Sequence, residues 1–68
     1  MKLERLKLLR AEKSLTQQQL CELFSVSQPT YSQYENGNVD PPLALIINLS
    51  IFYDVSTDYL LGKTGKRK

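Results

Sequence analysis

A chain of 68 residues holds one small domain, near the size at which a single core is only marginally stable. With 41% apolar and 24% charged residues it has the balance of a globular protein, and no apolar run reaches the ~18 residues of a membrane span. A net charge of +2, no histidine and a single cysteine exclude an internal disulfide, a zinc site of ordinary composition and imidazole proton transfer near neutral pH.

The seven carboxylates are scattered and no Gly-rich loop could cradle a phosphate, which points to a binding module rather than an enzyme, with no cofactor implied. Residues 1–10 mix Lys, Glu and Leu and are not a signal peptide, so a soluble cytoplasmic protein is expected. No β-branched run alternates with period two, and the punctuation divides the chain into five short helices: an all-α protein.

The first helix is predicted over about residues 2–13, with Leu3, Leu6 and Leu9 as its apolar stripe and Leu8 pointing away. At ~100° per residue Arg10 falls on that same stripe. An arginine there needs a carboxylate, because an unpaired buried charge is costly. The second helix, about 17–24, opens on the capping box Thr16-x-x-Gln19. Its expected buried face is Leu20, Leu23 and Phe24 with Cys21 beside them, and Gln18, Gln19 and Glu22 face water. Ser25, Val26 and Ser27 form a turn. The third helix, about 28–36, ends at Gly37, a natural left-handed cap. Tyr31, Tyr34 and Glu35 share one side of it. The other side carries Pro29, Ser32, Gln33 and Asn36, polar but uncharged apart from the proline.

A turn over 38–41 leads to the fourth helix, about 42–53, with Pro42 in its first turn. This helix is apolar all round. Leu43, Ile46, Ile47, Leu49 and Tyr53 fill one arc, and Leu45, Ile51 and Phe52 lie on the other, so both sides are expected to be covered. Asp54 fits a C-cap. Ser56 caps a fifth helix, about 57–61, with Asp58 placed well for the dipole, and Gly62 ends it. The domain is thus 1–62, and 63–68 is expected to be a mobile basic tail.

Charge is unevenly distributed. Residues 1–13 carry +3, 14–40 carry −3 with no basic residue, 41–62 carry −2 and the tail +4. The second helix, its tight turn and the third helix make a helix-turn-helix, which presents the outer face of its second helix to the DNA major groove. That face is Gln28, Pro29, Ser32, Gln33 and Asn36, and a glutamine can pair with the N6/N7 edge of adenine.

From Leu6 to Gly62 the chain resembles the phage-repressor and Cro type of helix-turn-helix domain, the xenobiotic-response-element family. The resemblance rests on Leu6-x-x-Leu9-Arg10, Leu15-Thr16-Gln17-x-x-Leu20, Val26-Ser27 and Thr30-Tyr31-Ser32-x-Tyr34-Glu35-x-Gly37. It continues through Pro41, Leu49 and Val55-Ser56-x-Asp58-Tyr59-Leu60-Leu61-Gly62. It implies a compact five-helix lambda-repressor-like fold binding double-stranded DNA through the third helix. Thr16 and Gln17 are implied at a phosphate, and Gln28 and Gln33 at base edges. Pro29 is implied at a thymine methyl, Thr30, Asn36 and Asn38 near the backbone, and Arg10 with Glu35 as an ion pair joining the first and third helices.

The chain departs from that pattern in three places. Many relatives carry a cation where this chain has Gln33 and Asn38, so a shallow salt dependence of DNA binding is expected, with a contribution from Lys63, Lys66, Arg67 and Lys68 if they reach the backbone. Pro29 disfavours helical geometry in the residue before it, so the third helix is expected to begin at Pro29 with Gln28 as its cap. Ser25 stands where glycine is frequent and must adopt an allowed geometry or carry strain.

The second apolar face of the fourth helix is expected to serve a homodimer, through Leu45, Ile51, Phe52 and Tyr59. The expected function is a sequence-specific transcriptional regulator, acting as a repressor. The alternative is an antitoxin-like or co-regulator module that binds a protein partner through the fourth helix. The length leaves no room for a ligand-sensing domain, and the opening Met1 and closing tail argue against a piece of a larger DNA enzyme.

Overall fold

In the computed structural model, which describes residues 3–68, five α-helices follow one another in the expected order. The first, α1, spans Glu4–Glu12, and its expected start at residue 2 lies outside the described residues. Leu3, Leu6 and Leu9 are buried, and Leu8 faces out. The chain leaves α1 through Ser14 at φ 56°, with the Leu15 N–H donating to the Arg10 carbonyl at 3.1 Å.

The capping box forms at α2, Gln17–Phe24: Gln19 N–H donates to Thr16 Oγ1 at 3.1 Å, and Thr16 N–H to Gln19 Oε1 at 2.9 Å. Leu20 and Cys21 are buried and Phe24 is half-buried. Leu23, expected on the same face, is 60% exposed. The reason is angular: Leu20, Phe24 and Cys21 span an arc of ~100°, and Leu23 lies ~60° beyond its edge. Ser25 closes α2 in the left-handed region, φ 57° and ψ 40°.

Ser27, not Gln28, caps α3, which spans Gln28–Asn36 with Pro29 as its second residue. The expected proline boundary shifts because the ring, in the first turn, meets no carbonyl one turn earlier, and its missing N–H is one that has no intrahelical acceptor. Tyr31, Tyr34 and Glu35 are buried. Gly37, at φ 80°, reverses the chain, and the Asn38 N–H reaches back to the Gln33 carbonyl at 3.0 Å.

Pro42 caps α4, Leu43–Tyr53. Here the expected division of apolar residues fails. Ile46, Leu49, Ser50 and Tyr53 are buried, and Leu45 and Phe52 pack half-buried against the core. Leu43, Ile47 and Ile51 are 68%, 42% and 72% exposed. At ~100° per residue the six covered positions fill one continuous arc, from Phe52 and Leu45 at one rim to Ser50 at the other, and the three exposed positions fall together in the remainder. Asp54 takes the left-handed C-cap, and Ser56 Oγ accepts from the Tyr59 N–H at 3.0 Å to start the single turn α5, Thr57–Leu60.

Helix α1 packs on α3 and α5, α2 on α3, and α4 on α5. The edge-on pair Phe24–Phe52, with centroids 5.3 Å apart, joins the end of α2 to α4, and Phe52 packs in turn on Tyr53 within α4 at 5.0 Å. Residues 63–68, expected to be mobile, lie back along the molecule: Arg67 pairs with Glu12 and Lys68 with Asp54. The radius of gyration, 10.9 Å, matches the ~11 Å of a fully folded chain this long. Among the described residues no helix is long and apolar enough to cross a membrane.

Candidate nucleic-acid interface

The anchor of the helix-turn-helix is a buried carboxylate. Glu35 projects inward from α3 with only 3% of its side chain exposed. Arg10 Nε donates to its Oε2 at 2.8 Å and Nη2 to its Oε1 at 3.3 Å, while Nη1 donates to the Leu15 carbonyl at 2.8 Å. One guanidinium therefore ties α1 to α3 and to the loop before α2. Gln17 Nε2 completes the cluster, donating to Glu35 Oε1 at 3.0 Å. Burial pushes the Glu35 carboxyl up, but the hydrogen bonds from Arg10 and Gln17 outweigh it and hold the group below the usual carboxylate range. The Tyr53 hydroxyl is buried with no hydrogen-bond partner among the described residues. Burial, with the negative charge of Glu35 nearby, pushes the Tyr53 hydroxyl up to about 12.

With its inner side fixed this way, α3 presents Gln28, Pro29, Thr30, Gln33 and Asn36 to solvent, with Ser32 half-buried among them and Asn38 exposed beyond Gly37. Thr16 is exposed at the start of α2, next to Gln17. The Gln17 amide keeps one N–H after its bond to Glu35, and the Gln17 and Gln18 backbone N–H groups have no intrahelical acceptor. At α3 the Ser27 hydroxyl donates to Thr30 Oγ1 at 2.7 Å instead of capping the backbone, so the first-turn N–H groups of Gln28 and Thr30 stay open. The outward side thus combines amides able to donate and accept with two helix starts, without a formal positive charge.

Where the cations lie is equally informative. All three arginines are engaged within the fold. Arg10 holds Glu35. Arg5 donates to the Tyr59 and Thr64 carbonyls and stacks 4.0 Å from the Tyr59 ring centroid, and Arg67 forks onto Glu12. Lys13 Nζ sits 5.2 Å over the Phe52 ring.

The four residues expected at a dimer face do not share one exposed surface. Ile51 is open, Leu45 and Phe52 are half-buried, and Tyr59 is buried beneath Arg5 and Arg67. The Gln17–Glu35 bond was missed by sequence reasoning. Its signal is stoichiometric: a carboxylate has about four acceptor sites, and one arginine fork leaves some of them unfilled.

The profile of the helix-turn-helix family matches residues 6–60. Similar curated proteins come from Bacillus subtilis (strain 168). The uncharacterized HTH-type transcriptional regulator YqaE is 43% identical over 96% of this chain and 56% of its own length. The uncharacterized regulator YobD is 41% identical over 90% and 54%. The HTH-type transcriptional regulator ImmR is 40% identical over 88% and 47%. The chain spans about half the length of the curated relatives it matches. No solved structure gives a significant match.

Proposed function

The chain belongs to the helix-turn-helix family, and from that membership we propose that it is a transcriptional regulator that binds duplex DNA sequence-specifically in the cytoplasm, without catalytic activity. One observation carries the reading: the outward face of α3 is a set of uncharged side chains built for base edges, flanked by two helix starts with open N–H groups. Gln33 and Gln28 read base edges from the major groove, and Pro29 contacts a thymine methyl. Thr16, Gln17, Thr30 and Asn38 sit against phosphates, with Ser32 and Asn36 at the groove wall. The regulator acts as a repressor by occupancy, since a domain seated in the groove excludes other proteins from the same site.

We propose further that it works as a homodimer, each copy on one half-site, paired through the stripe Leu43, Ile47 and Ile51. These lie at i, i+4 and i+8 on a helix with no charged residue, so two copies can face each other without charge repulsion. The three side chains expose on the order of 300 Å², against roughly 800 Å² per partner in a stable interface. The pairing is therefore weak alone and forms on DNA, where adjacent half-sites raise the effective concentration.

Selection from randomised duplex DNA at two salt concentrations tests the reading. An enriched palindrome with half-sites one helical turn apart supports it. No enrichment from a folded protein refutes it, and the stripe then becomes the site for a different protein partner.

A further inference from the structure

We propose that residues 63–68 form a fixed strap that closes the seam between α1 and α5, so that Arg67 is held by the protein's own Glu12 and not by DNA phosphates. The second half of this proposal rests on the DNA-binding reading above; the first does not.

Four anchors hold the strap. The Arg67 guanidinium forks onto Glu12 at the end of α1, Nη1 to Oε1 at 2.8 Å and Nη2 to Oε2 at 2.6 Å. The same guanidinium lies 5.5 Å from the Tyr59 ring centroid, and Arg5 lies 4.0 Å from it, so one aromatic ring of α5 serves a cation from each end of the chain. The Arg67 carbonyl accepts the Ser56 N–H. Ser56 is the N-cap of α5, and its own N–H points out of the helix, so the strap supplies the acceptor. The Thr64 carbonyl accepts from Arg5 Nη1, which also donates to the Tyr59 carbonyl at 2.7 Å. Lys68 Nζ adds a contact to Asp54 at 2.8 Å, exposed on both sides and weak by itself.

A lone surface ion pair orders two long side chains for little return. Here backbone, guanidinium and ring contacts act on the same six residues, so the ordering cost is shared. The bonds from Arg5 to Thr64 and from Arg67 to Glu12 bridge 59 and 55 positions in sequence, so the strap fastens α1 to the segment that follows α5. Lys63 and Lys66 stay exposed on it.

Backbone relaxation of the 15N-labelled full chain tests the strap. Order parameters of Gly65, Lys66 and Arg67 near the ~0.85 of the helices are expected, and values below about 0.6 overturn it. Truncation after Gly62 should strip exchange protection from the Ser56 amide while the α4 amides keep theirs; an unchanged Ser56 rate overturns the anchoring. Glu12→Gln should lower the melting temperature by about 2–5 °C and loosen Arg67 in the same relaxation data; rigid tail amides in that variant overturn the role of the fork.

For the charge, the salt dependence of binding to sonicated duplex DNA is compared between the parent and Arg67→Gln. An unchanged slope is expected. A slope shallower by about 0.9 places Arg67 on a phosphate and overturns the assignment. A parent protein that binds no duplex DNA counts against the DNA reading, and the relaxation data still decide the strap.

Discussion

Removing Arg10 tests the energetic logic of the helix-turn-helix. In Arg10→Met the guanidinium that supplies two hydrogen bonds to Glu35 and one to the Leu15 carbonyl is gone, and a carboxylate only 3% exposed keeps the Gln17 amide as its donor. Breaking one side of a buried pair costs about 3–5 kcal/mol. A domain of this length has roughly 3–10 kcal/mol in total, so the variant should be close to unfolded at neutral pH. The pH dependence identifies the cause. In the parent the folded Glu35 pKa lies below the ordinary 4.5, so its contribution is present above that value and is lost as pH falls through the folded one. In the variant burial dominates and the folded pKa rises above the unfolded. The penalty is then full at pH 7 and fades as pH falls toward about 4.5 and the carboxyl takes a proton. Urea unfolding followed by far-UV circular dichroism at pH 7, 5.5 and 4.5 measures this, with Arg10→Met/Glu35→Leu as the control that should recover most of the loss. A deficit below about 1 kcal/mol at pH 7, or one that does not change with pH, would refute the buried-pair account.

Other expectations follow from single residues. Ser25→Gly relieves a side chain held at φ 57° and should stabilise the fold by about 0.5–1 kcal/mol in thermal melts; a loss would mean the serine hydroxyl holds the turn. Tyr53→Phe deletes a buried hydroxyl that has no partner among the described residues and should be neutral or stabilising by up to about 1 kcal/mol in the same melts. Gln33→Ala should weaken binding to the selected operator by about 1–3 kcal/mol in fluorescence anisotropy and relax the preference at one base pair, with the melting curve unchanged. Ile51→Asn should leave the melt within about 0.5 kcal/mol, because the side chain is 72% exposed, yet abolish cooperative filling of paired half-sites.

The elements were legible because their ends are chemically marked. The capping box Thr16-x-x-Gln19, Gly37 at the end of α3, Asp54 at the end of α4 and Ser56 before α5 each satisfy backbone groups by local bonds that depend on sequence alone. Arg10 on a leucine stripe announced a buried carboxylate for the same reason: an unpaired charge there is costly. The faces of α2 and α4 were less legible. In both helices apolar residues outnumber the core positions, so hydrophobicity does not say which of Leu23, Leu43, Ile47 and Ile51 stays outside. That depends on where neighbouring helices fall, a tertiary property. The tail's contacts were not legible for a related reason: nothing in a run of basic residues and glycine says that Glu12, Asp54 and Tyr59 lie beside it.

The engagement of every arginine within the fold has a consequence for how a target is found. A protein studded with cations lingers on any stretch of duplex and travels along it between encounters. On the proposed DNA-binding reading, a face of neutral amides and helix starts would grip random duplex weakly, and the search would run mostly through solution, each contact brief. The cost is a slower arrival at any one site. The gain is that few copies are held idle across a genome, where competing sequence outnumbers the operator by roughly a millionfold or more. On that reading selectivity would rest on the quality of a few base contacts, and a single glutamine would weigh more heavily than beside a row of lysines.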